Sequence, residues 1–213
     1  MAKKTSNMAT HSDSKHNTVD KERLGLDRLV FFSDAVFAIS ITLLALEIRL
    51  PAIERPVTSA ALLKSLLVLW PKYISYVISF LVIGIFWIAH HRKFHFIVRC
   101  DNTLLSLNLL LLMAIAFIPF PTSIIGEYMN QTATIFYALT MTLTSLLTAA
   151  IWWYASHNNR LIDARLDPRQ RRRETWRSLL LPVIFLVSIG LSFISASLAR
   201  LSWLLAAIAA HLI

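Results

Sequence analysis

Long apolar segments, separated by short polar ones, follow each other along the chain after its first 27 residues. An α-helix needs about 20 predominantly apolar residues to cross a bilayer. The candidate segments are 29–48, 62–90, 103–125, 133–156, 178–198 and 200–213. This pattern predicts an all-α integral membrane protein, with a bundle of six transmembrane helices over residues 28–213.

Two of these segments depart from a simple apolar span. The second contains Lys64, Pro71 and Lys72, which favours a short amphipathic helix to about Trp70 followed by the crossing itself. The sixth is short, and the sequence leaves open whether it crosses the whole bilayer. Residues 1–27 are polar and contain no apolar run, so we expect a disordered cytoplasmic tail and not a cleaved signal peptide.

Composition supports a membrane protein. The 213 residues are 56% hydrophobic, with six Trp and twelve Phe, which is too apolar for a water-soluble core of this size. The net charge of +9 suggests nucleic acid at first sight. However, most basic residues lie between apolar segments, where they set topology and contact lipid headgroups. We therefore expect the lipid bilayer, and no nucleic acid, as a partner.

The distribution of basic residues orients the predicted bundle. Sixteen of the 21 Lys and Arg residues fall on the side that holds both termini. Positive charge collects on the cytoplasmic side of membranes, so we predict a multi-pass protein of the cell (plasma) membrane with cytoplasmic termini. The Arg-rich loop 157–177 is expected to fix topology, and the sequence leaves open whether it also regulates.

The first predicted helix has two different faces. At 100° per residue, one stripe contains Phe32, Ala35, Ile39, Thr42, Leu43 and Leu46. Asp34 lies about 140° from Ile39 on the same wheel. A carboxylate next to hydrocarbon is costly unless it has a partner or a task. The nearby candidates for its partner are Arg28, His90, His91 and Asn108. A polar clamp between helices and a direct role in transport both remain open.

The sequence contains few of the residue patterns that are typical of enzymes. His91 and His95 are four residues apart and could share a helix face as metal ligands, but further histidine pairs of that kind are missing. Neither a nucleotide-binding glycine loop nor a G-x-S-x-G motif occurs. We therefore expect no enzyme, no cofactor and no resident metal.

Three motifs carry a resemblance to a known family. Arg28, Phe32, Ser33 and Asp34 form an R-x-x-x-F-S-D pattern at the entry of the first helix. WIAHH at 87–91, LSLNL at 105–109 and PFP at 119–121 follow it. Together they resemble helices one to three of the lysosomal potassium channel family, transmembrane protein 175. The R-x-x-x-F-S-D pattern occurs once, as in the single-repeat bacterial form of that family.

The resemblance implies an assembly and a set of site residues. Its members are similar in forming a tetramer of repeats, so a homotetramer is expected, with first helices around a central pore. The implied hydrophobic constriction is Ile39, with Leu43 and Leu46 beyond it, and Thr42 is the implied residue for potassium preference. The implied structural network consists of Arg28, Phe32, Ser33, Asp34, His91 and Asn108.

The motifs and the resemblance are consistent with two functions of different classes. The favoured one is a passive, weakly to moderately selective potassium channel, since no T-V-G-Y-G loop is present to form a filter of backbone carbonyls. The alternative is a secondary or proton-coupled transporter in which Asp34 and His91 exchange protons. Only the resemblance predicts potassium ions as a partner.

Overall fold

The structure is a computed structural model that describes residues 3–52 and 57–212, with side chains described over 24–52 and 57–204. Its helices are α1 (Lys3–Leu46), α2 (Ser59–Val68), α3 (Trp70–Phe96), α4 (Asn102–Phe117), α5 (Pro119–Tyr128), α6 (Gln131–Ser156), α7 (Pro168–Ser192) and α8 (Ala196–Leu212). A 3₁₀ turn, His157–Asn159, follows α6. The predicted disordered tail, residues 1–27, overlaps α1 from Lys3 onward, and its side chains before residue 24 lie outside the description, so its disorder stays a prediction.

Five helical stretches among the described residues are long and apolar enough to cross a membrane. They are Leu24–Leu46, Trp70–Phe96, Asn102–Tyr128, Gln131–Asn159 and Pro168–Ser192. The third combines α4 and α5, which meet at Ile118. The predicted sixth crossing falls on α8, whose side chains beyond residue 204 lie outside the description, so it stays a prediction.

The helix boundaries confirm one predicted feature and correct another. A short helix, α2, precedes the crossing helix α3, as predicted. The supposed loop 157–177 is largely helical, because α7 begins at Pro168 and not near residue 178. Asp167 accepts a hydrogen bond from the Arg169 amide at 3.0 Å. A capping Asp followed by Pro is a favourable helix start.

The helices pack as one bundle around α6. Helices α4, α5 and α7 contact α6, while α1 packs against α3 and α4. The interior holds large apolar side chains such as Ile83, Phe86, Leu104, Ile115 and Trp152. The bundle thus buries one side of α1 and leaves its other side uncovered.

Polar contacts join the connections at the two ends of the bundle. At one end, Lys72 Nζ lies 3.3 Å from Glu127 Oε2. At the other, Tyr154 Oη donates to Asp101 Oδ2 at 2.6 Å, and Arg160 Nε is 3.9 Å from the same oxygen. The second end also holds most of the arginines that the sequence places on the cytoplasmic side.

Candidate functional site

The buried face of α1 follows a regular helical spacing. Its members are Leu26, Leu29, Ser33, Phe37, Ser40 and Leu44, all of them buried. Their separations of three and four residues keep them on one side of the helix. Both serines donate to backbone carbonyls one turn earlier, Ser33 to Leu29 and Ser40 to Val36, each at 2.8 Å. Because these hydroxyls are paired, small polar residues fit this face without cost.

The opposite face of α1 is exposed in the single subunit. All six residues of the predicted stripe are exposed: Phe32, Ala35, Ile39, Thr42, Leu43 and Leu46. Ile39 retains 57% of its accessible surface and Leu46 retains 66%. An apolar stripe of this length on a membrane helix must face lipid, another subunit or a pore. The structure therefore separates the stripe cleanly from the packed face.

Thr42 is the one hydroxyl on the exposed stripe. Its Oγ1 donates a hydrogen bond to the Ile39 carbonyl oxygen at 2.8 Å. The hydroxyl hydrogen is thereby used within α1, and the oxygen keeps lone pairs for a further partner. Thr42 thus offers an acceptor, and not a donor, on a surface that is otherwise apolar.

A neutral clamp holds the buried face of α1 to two neighbouring helices. We use this name for Ser33, His90 and Asn108. Asn108 Nδ2 donates to Ser33 Oγ at 2.9 Å, and Asn108 Oδ1 lies 2.9 Å from His90 Nε2. All three side chains are at most 1% exposed. One amide from α4 thus connects α1 to α3.

The hydrogen bonds of the clamp fix the orientation of the histidine. Because the Asn108 oxygen only accepts, His90 Nε2 must carry the hydrogen that it shares. His90 Nδ1 is then an acceptor, and no partner for it lies within the described part of the chain. The ring stacks on Phe94, with centroids 4.2 Å apart, and contacts Phe37 at 5.6 Å. The clamp is therefore positioned by packing as well as by hydrogen bonds.

Asp34 binds a partner outside the predicted set of Arg28, His90, His91 and Asn108. Trp87 Nε1 donates to Asp34 Oδ1 at 2.8 Å, and Asp34 is half-buried. Arg28 is exposed, and among the described residues it makes no hydrogen bond or ion pair. Phe32, 54% exposed, lies outside the clamp. The structure thus places Asp34 beside α3 but brings neither Arg28 nor Phe32 into the network.

The histidine implied by the resemblance and the histidine of the clamp are different residues. His91 is exposed and contacts the Trp87 ring at a centroid distance of 5.8 Å, whereas His90 bonds Asn108. One residue along α3 rotates the side chain by 100°, which moves it from the buried face to the outside. The periodicity could have shown this, since Val82, Phe86 and His90 share the buried face of α3.

Metal chemistry gains no support from the described residues, where no group of three or more His, Cys, Asp and Glu side chains is placed to hold an ion. His91 and His95 are both exposed. The functional features are therefore the exposed stripe and the clamp behind it. Packing fixes one face of α1, and this packing determines the direction in which the exposed stripe on the other face points.

The part of the chain that contains the stripe and the clamp is similar to known proteins. The family model described as endosomal/lysosomal potassium channel TMEM175 matches residues 28–119, which contain the stripe and the clamp. A protein named potassium channel from Streptomyces collinus is 40% identical over 176 residues, covering 80% of this chain and 84% of the relative.

A solved structure and a vertebrate relative extend the comparison. The crystal structure of a lysosomal potassium-selective channel TMEM175 homolog from Chamaesiphon minutus aligns with a TM-score of 0.79 and 34% identity. The alignment covers 89% of this chain and 98% of that one. The endosomal/lysosomal proton channel TMEM175 of Gallus gallus is 27% identical over 191 residues, which are 85% of this chain but 38% of the relative.

Proposed function

This chain belongs to the TMEM175 channel family, and from that membership we propose that it is a potassium-permeable cation channel with a pore formed by helix α1 of four copies. The observation that carries the proposal is the exposed stripe of α1. It lies opposite a face that is fully packed on α3 and α4. Four such stripes around one axis would enclose an apolar path through the membrane.

Ile39 would form the constriction of this path. An isoleucine ring offers no oxygen to replace the water around an ion, so a narrow ring stops conduction by dewetting and a wider ring passes a partly hydrated ion. Leu43 and Leu46 continue the stripe toward the end of the helix and would form further narrow points. Potassium loses its water more easily than sodium, which gives such a filter a modest preference.

Thr42 would add the polar element of the path. Its hydrogen is donated to the Ile39 carbonyl, so its oxygen would face the pore as an acceptor. A ring of such oxygens favours a cation that has lost part of its hydration shell. The proposed selectivity therefore depends on an apolar ring and an adjacent hydroxyl ring.

The neutral clamp would have a positioning role. Ser33 lies six residues before Ile39, or about 9 Å along the helix at 1.5 Å per residue. Its bond to Asn108 would restrain rotation of α1 about its axis. The clamp would thus keep the stripe directed at the pore without touching an ion.

A proton-coupled carrier is not favoured by the geometry. That mechanism needs Asp34 and His91 to exchange protons, but Asp34 Oδ1 is bonded to the Trp87 indole, and among the described residues no hydrogen bond joins Asp34 to His91. His91 makes no hydrogen bond among the described residues. The relatives named above are all called channels.

The proposal includes the position of the protein in the membrane. We propose six crossings, with α8 as the sixth, in the cell membrane and with both termini cytoplasmic. The arginine-rich end of the bundle supports this orientation, because positive charge collects on the cytoplasmic side. The contacts of Asp101 with Tyr154 and Arg160 join the α3–α4 connection to the last turn of α6 and to the α6–α7 connection at that end.

Bilayer recording tests the proposed pore. With potassium on one side and sodium on the other, purified protein should give unitary currents that reverse toward the potassium potential. Ile39→Asn should raise the current several-fold, because a polar ring wets the constriction. Leu143→Asn is the matched control, since Leu143 is 56% exposed on α6, and it should leave the current unchanged. Equal currents for Ile39→Asn and wild type would contradict the pore assignment.

A further inference from the structure

Four charged side chains meet where α3 ends and α7 begins. We call Arg92, Lys93, Glu174 and Arg177 the charged cluster. Arg92 Nε lies 2.9 Å from Glu174 Oε2, and Arg177 Nη1 lies 2.6 Å from Glu174 Oε1. Glu174 and Arg177 are 4% and 12% exposed at their side chains. The two arginines thus occupy both oxygens of a single buried carboxylate.

The charged cluster has more positive than negative charge. Lys93 is 2% exposed, and no hydrogen bond or salt bridge joins it to another described residue. Arg177 Nε is buried and likewise lacks an acceptor among the described residues. Three cations around one carboxylate leave an excess of two positive charges. Buried charges without partners are strongly unfavourable, so this surplus indicates an anion from outside the described residues.

A groove beside the cluster shows which kind of anion fits. It is a shallow groove of about 50 Å³, and it is lined by Arg92, Lys93 and Arg177 together with apolar side chains. The apolar part consists of Ile85, Ile88, Leu180 and Leu181. Ser145 and Thr148 of α6 also line the groove. Cations and hydrocarbon therefore share one opening between α3 and α7.

The polar and apolar parts of the groove are ordered along the membrane normal. Ile85 and Ile88 precede Arg92 on α3 by seven and four residues, whereas Leu181 follows Arg177 on α7 by four. Since α3 runs toward this end of the bundle and α7 runs away from it, all these apolar residues lie about 6–10 Å nearer the membrane centre than the cations. A phospholipid has the same order, with its phosphate outside and its acyl chain inside.

We propose that this groove binds an anionic phospholipid, with the phosphate accepting hydrogen bonds from Lys93 and Arg177 Nε and one acyl chain lying along Ile85, Ile88 and Leu181. A phosphate diester carries one negative charge, and an anionic headgroup adds no compensating cation. Basic pockets between transmembrane helices bind lipid headgroups in this way. The proposal concerns a lipid-facing groove and does not depend on ion conduction.

Native mass spectrometry of the delipidated protein tests the proposal. The protein in detergent is given phosphatidylglycerol and phosphatidylcholine with identical acyl chains at equal concentration. Wild type should retain phosphatidylglycerol preferentially. Lys93→Met should reduce this preference roughly fivefold, the value for one basic residue at a membrane surface. Arg169→Gln, an equal charge change at an exposed position of α7, should leave it unchanged.

A second variant tests the acyl-chain part and covers the case in which Lys93→Met does not fold. Ile88 is 50% exposed, so Ile88→Trp fills the groove without disturbing the core, and it should also reduce retention of phosphatidylglycerol. Full retention by Ile88→Trp would overturn the proposal. So would displacement of phosphatidylglycerol by an equal concentration of inorganic phosphate, which would indicate a site for a soluble anion.

Discussion

The neutral clamp and the charged cluster are both buried polar groups on α3, but they are paired very differently. His90 of the clamp and Lys93 of the cluster lie three residues apart on the same helix face. The clamp joins Ser33, Asn108 and His90 by hydrogen bonds and carries no net charge. The cluster gathers three cations around Glu174. The polar atoms of the clamp are thus almost all hydrogen-bonded within the described part of the subunit. The charged cluster, in contrast, keeps cationic groups without a partner there.

The difference shows two ways to place polar groups inside an apolar bundle. A neutral network needs only matched donors and acceptors, and three side chains supply them. A charged network also needs its charges to balance, because removing one partner leaves the other charges buried. We therefore expect the charged cluster to be more sensitive to a single substitution than the clamp.

The largest effect is expected at Glu174. Glu174→Gln removes the only negative charge of the cluster and leaves Arg92, Lys93 and Arg177 close together. The loss of one partner from a buried ion pair costs about 3–5 kcal/mol. Thermal unfolding in detergent, followed by helical circular dichroism, should show a clear fall in the unfolding temperature.

Glu127→Gln provides the matched control for this experiment. Glu127 also pairs with a basic residue, Lys72 at 3.3 Å, but its side chain is 57% exposed. Exposed ion pairs contribute less than about 1 kcal/mol. Equal losses for the two substitutions would show that burial of Glu174 does not determine its contribution.

A smaller loss is expected when the clamp is broken. Asn108→Leu removes both hydrogen bonds and leaves the His90 Nε2 hydrogen without an acceptor. A buried unsatisfied group costs about 1–3 kcal/mol, so the free energy of unfolding should fall by about 2 kcal/mol. Asn102→Leu, at an exposed position in the first turn of α4, is the control. A loss at Asn108 as large as at Glu174 would remove the distinction between the two sites.

The sequence predicted which residues lie on each face of α1 better than it predicted which residues of other helices contact those faces. Helical periodicity separates Ile39 and Thr42 from Ser33 and Phe37, and the structure exposes the first pair and buries the second. The same hydropathy could not distinguish a face packed on α3 from one that meets lipid, because both environments are apolar. The resemblance accordingly placed His91 in the structural network, whereas the histidine that bonds Asn108 in the structure is His90, one position earlier.

The start of α7 could not be read from hydropathy for a related reason. Its first turns are rich in arginine, and hydropathy assigns such residues to a loop. Arginine is nevertheless a good helix former, and the Asp167–Pro168 pair was a usable start signal. The charged cluster was missed because Glu174 and Lys93 meet only when α7 packs on α3, which no local pattern indicates.

Substitutions of Trp87 and His91 test which of these two residues is the partner of Asp34. Trp87→Phe removes the indole donor, and a hydrogen bond to a charged group contributes more than a neutral one. Since Asp34 is half-buried, we expect a loss of about 1 kcal/mol. His91→Phe keeps an aromatic ring beside Trp87 and should have a smaller effect. A larger loss for His91→Phe, measured by thermal unfolding, would favour the partner that the resemblance implied.

The smallest effect is expected at Asp101, in the connection between α3 and α4. Burial acts to raise the pKa of the Asp101 carboxyl, but hydrogen bonds from Tyr154 and the Leu104 amide outweigh it. Together with the Arg160 charge, they hold the pKa below its ordinary value of 3.8. A lowered pKa means that this stabilisation is present above about pH 4 and is lost as the pH falls through the folded-state pKa.

Asp101→Asn isolates this charge, because asparagine also caps a helix and can keep the bond from the Leu104 amide, which is 2.8 Å long. The unfolding temperature of the variant should lie below that of wild type at pH 6, and the gap should close below about pH 4. A gap that stays constant down to pH 3 would mean that ionisation of Asp101 does not cause the difference. Because its side chain is 36% exposed, solvent screens the charge, and the change should be smaller than that at either buried site.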